Sequence, residues 1–178
     1  MATQPDTRRA SDFSPIGNAP LWDGIAYWAT IIGVYLMVGG LMFYSGKDKL
    51  FENDGKAPQA IKEQFANSFL STFPGTDTAW RILGVLEFGV FAILVLSLIR
   101  AEFLPHRRKS AMQVALAVAL ITFACLAFGQ TATGQFQGTA SLYTYFGSTV
   151  VILILISLLP PNRADNWLRF GTAPPPED

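Results

Sequence analysis

The sequence predicts an all-α membrane protein, a four-transmembrane-helix bundle with a short amphipathic helix in the first outer loop. Of its 178 residues, 51% are hydrophobic and only 15% are charged, whereas soluble domains carry about 25% charged residues. Four apolar runs are long enough to cross a hydrocarbon core of about 30 Å as helices. Single runs of this length and composition fit helices better than barrel strands, because a backbone in lipid must satisfy its hydrogen bonds internally.

The four predicted spans form a transmembrane domain over residues 23–160, between a polar N-terminal tail (1–22) and a C-terminal tail (161–178). The spans themselves are residues 25–44, 82–99, 111–128 and 143–159. Tryptophan rings prefer the headgroup level of a bilayer. Four tryptophans lie near predicted span ends and agree with this placement: Trp22, Trp28, Trp80 and Trp167.

The distribution of lysine and arginine predicts that both termini lie in the cytoplasm. An even number of spans puts both termini and the loop 101–110 on one face, which carries eight basic residues against five on the other. Short loops rich in lysine and arginine stay on the cytoplasmic side, and this loop contains Arg107, Arg108 and Lys109. We therefore expect a multi-pass protein of the bacterial inner membrane.

The first outer loop, residues 45–78, contains the predicted amphipathic helix. Pro58 suits a first helical turn, and Pro74-Gly75 suits a helix end. Between them an apolar stripe recurs every four residues, at Ile61, Phe65, Phe69 and Phe73. Two interpretations remain: a helix that caps the bundle or lies in the membrane interface, and a lid over an opening between the spans.

Small residues predict where the spans approach each other closely, because helix association in lipid depends on close backbone contact. The pairs or series of small residues are Ala29 with Gly33, Gly84 with Gly89, and Ala111 with Ala115 and Ala119. A four-helix bundle has little interior volume. A large cofactor would therefore lie between this chain and a partner more easily than inside the bundle.

Glu87 is the charged residue set most deeply into an apolar run. It lies about nine residues into its helix, or about 13 Å from the outer end, close to the midplane. A charge there costs at least a few kcal/mol, so we expect either protonation or a partner in the bundle. Trp80 and Gly84 share its side of the helix, whereas Arg81 points away and should reach the outer interface.

The expected partners of Glu87 on other spans are polar residues near the same depth. They are Tyr35, Thr122, Ser148 and Thr149, with Gln130 and Lys47 as candidates if the helix shifts outward. A structural glutamate that fixes helix register and a proton-handling or ligand-binding glutamate both remain open. Glu87 is thus the candidate proton-handling residue, and the candidate cofactor-binding residues are Glu87, Trp80, Gly84, Gln130 and Lys47.

Composition excludes several other functions. A single cysteine, Cys125, rules out an internal disulfide or an all-cysteine metal site. A single histidine, His106, rules out bis-histidine haem ligation within this chain. The formal net charge is zero, with no polybasic surface for nucleic acid. We expect no metal site, no covalently bound cofactor and no nucleic-acid partner.

Two segments resemble DoxX-like membrane proteins. GGLMFYSGKDKLF, residues 39–51, resembles the glycine-plus-lysine ending of their first span, and LGVLEFGVFAILVL, residues 83–96, is similar to their G-x-x-E segment. The resemblance covers residues 25–160, including the long outer loop and the short basic loop. The matching residues are Gly46, Lys47 or Lys49, Gly84 and Glu87.

The resemblance implies an association with membrane redox systems, such as thiosulfate:quinone oxidoreductase subunits and complexes with sulfurtransferase or superoxide dismutase. This chain departs from a thiol-exchange chemistry because it has no cysteine pair. We expect a small accessory or anchor subunit of a quinone-linked or respiratory redox assembly, in contact with membrane lipids and other membrane subunits. Glu87 would help bind a quinone or lipid, or shuttle a proton. The alternatives are a purely structural subunit without chemistry and an autonomous small transporter or enzyme.

Overall fold

The computed structural model describes residues 21–159 of the protein. Within this range every regular element is a helix, as predicted. The helices are α1 (Leu21–Gly33), a π-helical segment (Val34–Gly39), α2 (Gly40–Phe51), α3 (Gln59–Phe65), α4 (Thr76–Ile99), α5 (Ser110–Ala132) and α6 (Phe136–Leu158). The predicted C-terminal tail, Trp167, the N-terminal tail up to residue 20 and the side chain of Trp22 lie outside the described part.

Four helices are long and apolar enough to cross a membrane, and they make the chain a multi-pass membrane protein. The first span consists of α1, the π-helical segment and α2, which follow one another without a break. The other three spans are α4, α5 and α6. The predicted all-α fold with four transmembrane helices is confirmed.

Each membrane-crossing helix extends beyond its apolar run. The first span continues to Phe51, so residues 45–51 are helical and do not belong to the outer loop. Helix α4 begins at Thr76, and only residues 133–135 separate α5 from α6. Hydropathy detects the length of helix that suits lipid, whereas packing against neighbouring helices supports further polar turns. We call the end with residues 52–75 the long-loop end and the end with residues 100–109 the basic-loop end.

The spans form an antiparallel bundle in which the first span packs on α4, α4 on α5, and α5 on α6, with a smaller contact between α6 and α1. Helix α5 is the most buried span and α6 the least. The alanine series of α5, Ala111, Ala115 and Ala119, is buried as its spacing predicts. Gly33, by contrast, has open space where a side chain would extend.

A short helix is present in the long loop, but it has only seven residues. Ile61 and Phe65 line a cavity beneath it. The predicted stripe stops there, because α3 ends at Phe65 and a turn of 3-10 helix follows at Phe69–Ser71. Phe69 and Phe73 are therefore exposed.

Polar contacts fasten α3 on both sides. Lys62 Nζ lies 3.1 Å from the Asp77 carboxylate on α4. Gln64 donates from Nε2 to Gln130 Oε1 at 3.1 Å and to Thr133 Oγ1 at 2.9 Å, which ties α3 to the end of α5. Helix α3 is thus held over the gap between the second and third spans.

Candidate functional site

Glu87 forms an ion pair with Lys49 inside the bundle. Lys49 Nζ lies 2.8 Å from Glu87 Oε2 and 3.0 Å from Oε1, and it also donates to Ser45 Oγ at 2.6 Å. The Glu87 side chain is 3% exposed and that of Lys49 is 10% exposed. Lys49 donates two charge-assisted hydrogen bonds to the Glu87 carboxylate, and both groups are almost inaccessible to water. These bonds offset the free-energy cost of burying each charge. The unit is neutral as a whole, which suits its place between membrane-crossing helices.

Two glycines allow the helices that carry this pair to approach each other. A Cβ atom added to Gly46 on α2 would lie 2.7 Å from the backbone nitrogen of Phe88. A Cβ atom added to Gly84 on α4 would lie 2.8 Å from Lys49 Cβ. Both positions therefore require glycine in this packing. The contact brings the Lys49 stem onto the face of α4 that carries Glu87.

Trp80 lies one turn from Gly84 and two turns from Glu87 on α4, and it contacts the same lysine. Lys49 Nζ lies 5.0 Å from the centroid of the indole ring, within the range of a cation–π interaction. Trp80 and Lys49 also line a polar cavity of about 270 Å³ at the long-loop end. The remaining residues of its lining are Ser45, Asp48, Glu52, Lys56 and Pro58. The lysine of the buried pair thus borders a polar space, whereas Glu87 lies behind it.

A larger, mainly apolar cavity of about 540 Å³ lies on the α5 side of Trp80. It is bounded by α3, α4 and α5, with Phe65 above and Leu86 and Ile121 among its walls. Small-molecule sites have volumes of about 300–1,000 Å³ and mostly apolar linings with a few polar groups. Trp80 belongs to the lining of both cavities, so it separates a polar space from an apolar one.

Gln130 is the side-chain amide in the wall of this apolar cavity. Its oxygen accepts the hydrogen bond from Gln64, while its amide nitrogen has no acceptor among residues 21–159. A side-chain amide N–H that has no acceptor among these residues, on a residue that lines a cavity, is available to donate to a carbonyl oxygen of a bound molecule. Cys125 lines the same cavity.

The structure brings together three of the five predicted site residues, places the fourth in the wall of the neighbouring cavity and leaves one apart. Glu87, Gly84 and Trp80 surround the buried lysine, and Gln130 lines the apolar cavity that Trp80 also lines. Lys47 is exposed. The cation that reaches Glu87 is Lys49, two residues later on the opposite side of α2.

The other expected partners of Glu87 make their hydrogen bonds elsewhere. Tyr35 bonds to Ser97 at 2.6 Å. Thr122 and Thr149 each donate to the backbone of their own helix, and Ser148 is exposed. Arg81 is not a partner of Glu87 and donates to the carbonyls of Gly55 at 3.0 Å and Asp54 at 3.3 Å in the long loop.

The sequence did contain a signal for Lys49. The buried residues Val38, Met42, Gly46 and Lys49 recur at intervals of four, four and three, which is one face of a helix. Extending the apolar stripe of the first span past Tyr44 therefore leads to Lys49. Lys47 precedes Lys49 by two residues, which is a rotation of about 200° around the helix axis. The Lys47 side chain therefore points away from α4.

The basic-loop end contains a second set of buried charges that the sequence reasoning missed. Glu102 is 5% exposed, and its two carboxylate oxygens accept hydrogen bonds from the amides of Ala111 and Met112, each at 3.1 Å. Lys109 is fully buried and donates to the carbonyls of Arg107 at 3.1 Å and Leu104 at 3.4 Å. Burial lowers the pKa of Lys109, and the charge of Glu102 opposes that shift.

Comparison of the chain with protein families, with curated proteins and with solved structures gave no match.

Proposed function

We propose that this protein is a small accessory subunit of a quinone-linked membrane redox assembly, and that it binds the head of an isoprenoid quinone in the apolar cavity beneath α3. The observation that carries the proposal is the cavity of about 540 Å³ with Gln130 in its wall. The Gln130 amide would donate to a quinone carbonyl, and the apolar walls would cover the ring.

The surroundings of the cavity support an amphiphilic ligand. The aliphatic and aromatic residues of α4 and α5 that line it belong to membrane-crossing helices, so an apolar tail could continue into the bilayer. Trp80 offers an aromatic face for stacking against a flat ring. The ion pair with Glu87 keeps the Lys49 ammonium 5.0 Å from the centroid of the Trp80 ring. This contact helps to hold Trp80 in its position in the cavity wall.

The role of accessory subunit is supported by the shape of the bundle. Helix α6 is the least buried span, and its exposed residues include Tyr143, Val151 and Ile154. Lipid or a neighbouring membrane helix suits such a surface equally. In this proposal the fourth span contacts the partner, while the second and third spans hold the quinone.

Quenching of tryptophan fluorescence by ubiquinone-1 tests the binding site. We expect saturable quenching of the protein in lipid nanodiscs, most of which is lost in Trp80→Phe. Trp28→Phe is the matched control, because Trp28 lies at the basic-loop end and contacts Phe103. Loss of one hydrogen bond in Gln130→Leu should weaken binding several-fold with Trp80 still in place. Quenching that does not saturate, or that is equal in the Trp80 and Trp28 variants, would contradict the proposed site.

Purification from native membranes in mild detergent tests the accessory role. We expect redox or respiratory subunits in stoichiometric amounts when the co-purifying polypeptides are identified by mass spectrometry. Recovery of this chain alone would discard the accessory role and leave an autonomous transporter or enzyme. The quenching result is independent of this outcome, because it depends on the cavity alone.

A further inference from the structure

The basic-loop end carries a third cavity, whose lining is dominated by positive charge. It has a volume of about 450 Å³ and is lined by Arg100, Glu102, His106, Arg107, Arg108 and Ser110. The three arginines are exposed at the surface, where their guanidinium groups can reach a bound molecule. The cavity belongs to residues 100–110, which join α4 to α5, and is separate from the quinone site proposed above.

The single acidic residue in this lining does not balance the arginines. Both oxygens of Glu102 are bound by the backbone amides at the start of α5, as described above, so its charge stabilises that helix end. Among the side chains that the structure describes, in residues 24–52 and 54–159, no carboxylate forms an ion pair with Arg100, Arg107 or Arg108. The lining of the cavity therefore carries three arginines that none of these carboxylates neutralises by direct contact.

The loop that carries the arginines is held in place from inside. Lys109 donates to the carbonyl of Arg107, and its Nζ lies 5.3 Å from the ring centroid of Tyr27. The Tyr27 hydroxyl donates to the carbonyl of Phe103 at 2.7 Å. Because these contacts fix the loop backbone at Phe103 and Arg107, a ligand would lose little backbone entropy in ordering the loop, and the remaining cost is that of the arginine side chains.

We infer that this pocket binds a phosphate group, the phosphodiester of an anionic phospholipid in the membrane or free phosphate from solution. Planar guanidinium groups match the oxygens of phosphate and bind them through two parallel hydrogen bonds. The pocket lies where α4 and α5 end in a short basic loop, and the ends of membrane-crossing helices are where lipid headgroups are expected. Basic pockets between transmembrane helices bind anionic headgroups for this reason.

Native mass spectrometry of the full chain tests this inference, with dioleoylphosphatidylglycerol and dioleoylphosphatidylcholine as probes. We expect the first lipid to be retained in preference to the second, although both carry a phosphodiester, because the choline cation is repelled by the arginines. Arg107→Gln combined with Arg108→Gln should weaken retention of the anionic lipid roughly tenfold or more. Lys47→Gln combined with Lys56→Gln is the matched control, since it removes two exposed cations from the other end.

Competition by inorganic phosphate identifies the source of the group. Displacement of the lipid by millimolar phosphate would assign the pocket to free phosphate as well, whereas lipid binding without displacement would assign it to the headgroup alone. Equal retention of the two lipids by the unmodified protein, without any binding of phosphate, would overturn the inference. An equal loss in the two double variants would overturn it too, because it would reflect total charge and not this pocket.

Discussion

The two ends of the bundle each bury one lysine and one glutamate, but they satisfy these charges in different ways. At the long-loop end Lys49 and Glu87 pair directly with each other across two helices. At the basic-loop end the Glu102 carboxylate binds backbone amides of α5, and Lys109 donates to loop carbonyls. The first arrangement joins two helices through their side chains, whereas the second fixes the path of a loop and the start of a helix.

The two ends therefore depend on their partners to different degrees. Removal of one charge from the Lys49–Glu87 pair leaves the other buried without a counter-charge. Removal of the Glu102 charge at the basic-loop end leaves two backbone amides that can still bond to water. We therefore expect the long-loop end to be the more sensitive to single substitutions.

The largest effect is expected for Glu87→Leu. It leaves the Lys49 ammonium buried and should lower the free energy of unfolding by about 3 kcal/mol or more. The double variant Lys49→Met with Glu87→Leu should recover most of that loss, because apolar groups of similar volume replace the pair. Unfolding in mixed micelles of sodium dodecyl sulfate, followed by circular dichroism, measures both. If the double variant were as unstable as the single one, the two residues would not be coupled.

A somewhat smaller loss is expected for Gly46→Ala. The new methyl group would meet the Phe88 backbone, so α2 and α4 must separate, at a cost of about 2 kcal/mol in the same unfolding measurement. Gly89→Ala is the control on the opposing helix, where a Cβ atom meets nothing within 4 Å. It should be neutral or slightly stabilising because alanine favours the helix. Equal effects at both positions would refute the close approach that forms the ion pair.

At the other end, Glu102→Gln should lower the free energy of unfolding by about 1–2 kcal/mol. It removes the negative charge from the start of α5 and leaves one of the two amides without its acceptor. Lys109 keeps its carbonyl partners in this variant. A loss as large as that of Glu87→Leu would contradict the difference between the two ends.

The smallest effect is a pH dependence at Lys109. Its pKa is lowered in the folded protein, so the unfolded chain binds more protons between that lowered value and the ordinary value near 10.5. The unmodified protein should therefore gain stability relative to Lys109→Met as the pH rises through that interval. Below the lowered pKa the difference should be constant. Paired unfolding measurements across the alkaline range check this, and a difference that falls with pH would contradict it.

The sequence alone was enough to predict the helical fold and the presence of a charged residue, Glu87, deep within it. Hydropathy over a run of residues is a local property, so the four spans could be found without knowledge of their neighbours. The repeat of 3.6 residues per turn put Trp80, Gly84 and Glu87 on one side of α4, and the structure agrees. Gln130 was also a predicted site residue, although the sequence did not predict the cavity that it lines.

The partner of Glu87 and the surroundings of the ion pair depend on how whole helices pack against each other. The helical turns that carry Lys49 lie beyond the apolar run of the first span, and they form because α2 packs closely on α4 at Gly46 and Gly84. The apolar cavity likewise exists because α3 is fastened over the gap between α4 and α5 by Lys62 and Gln64. These contacts join residues distant in sequence, and their geometry depends on the packing of whole helices, which no local pattern of residues contains.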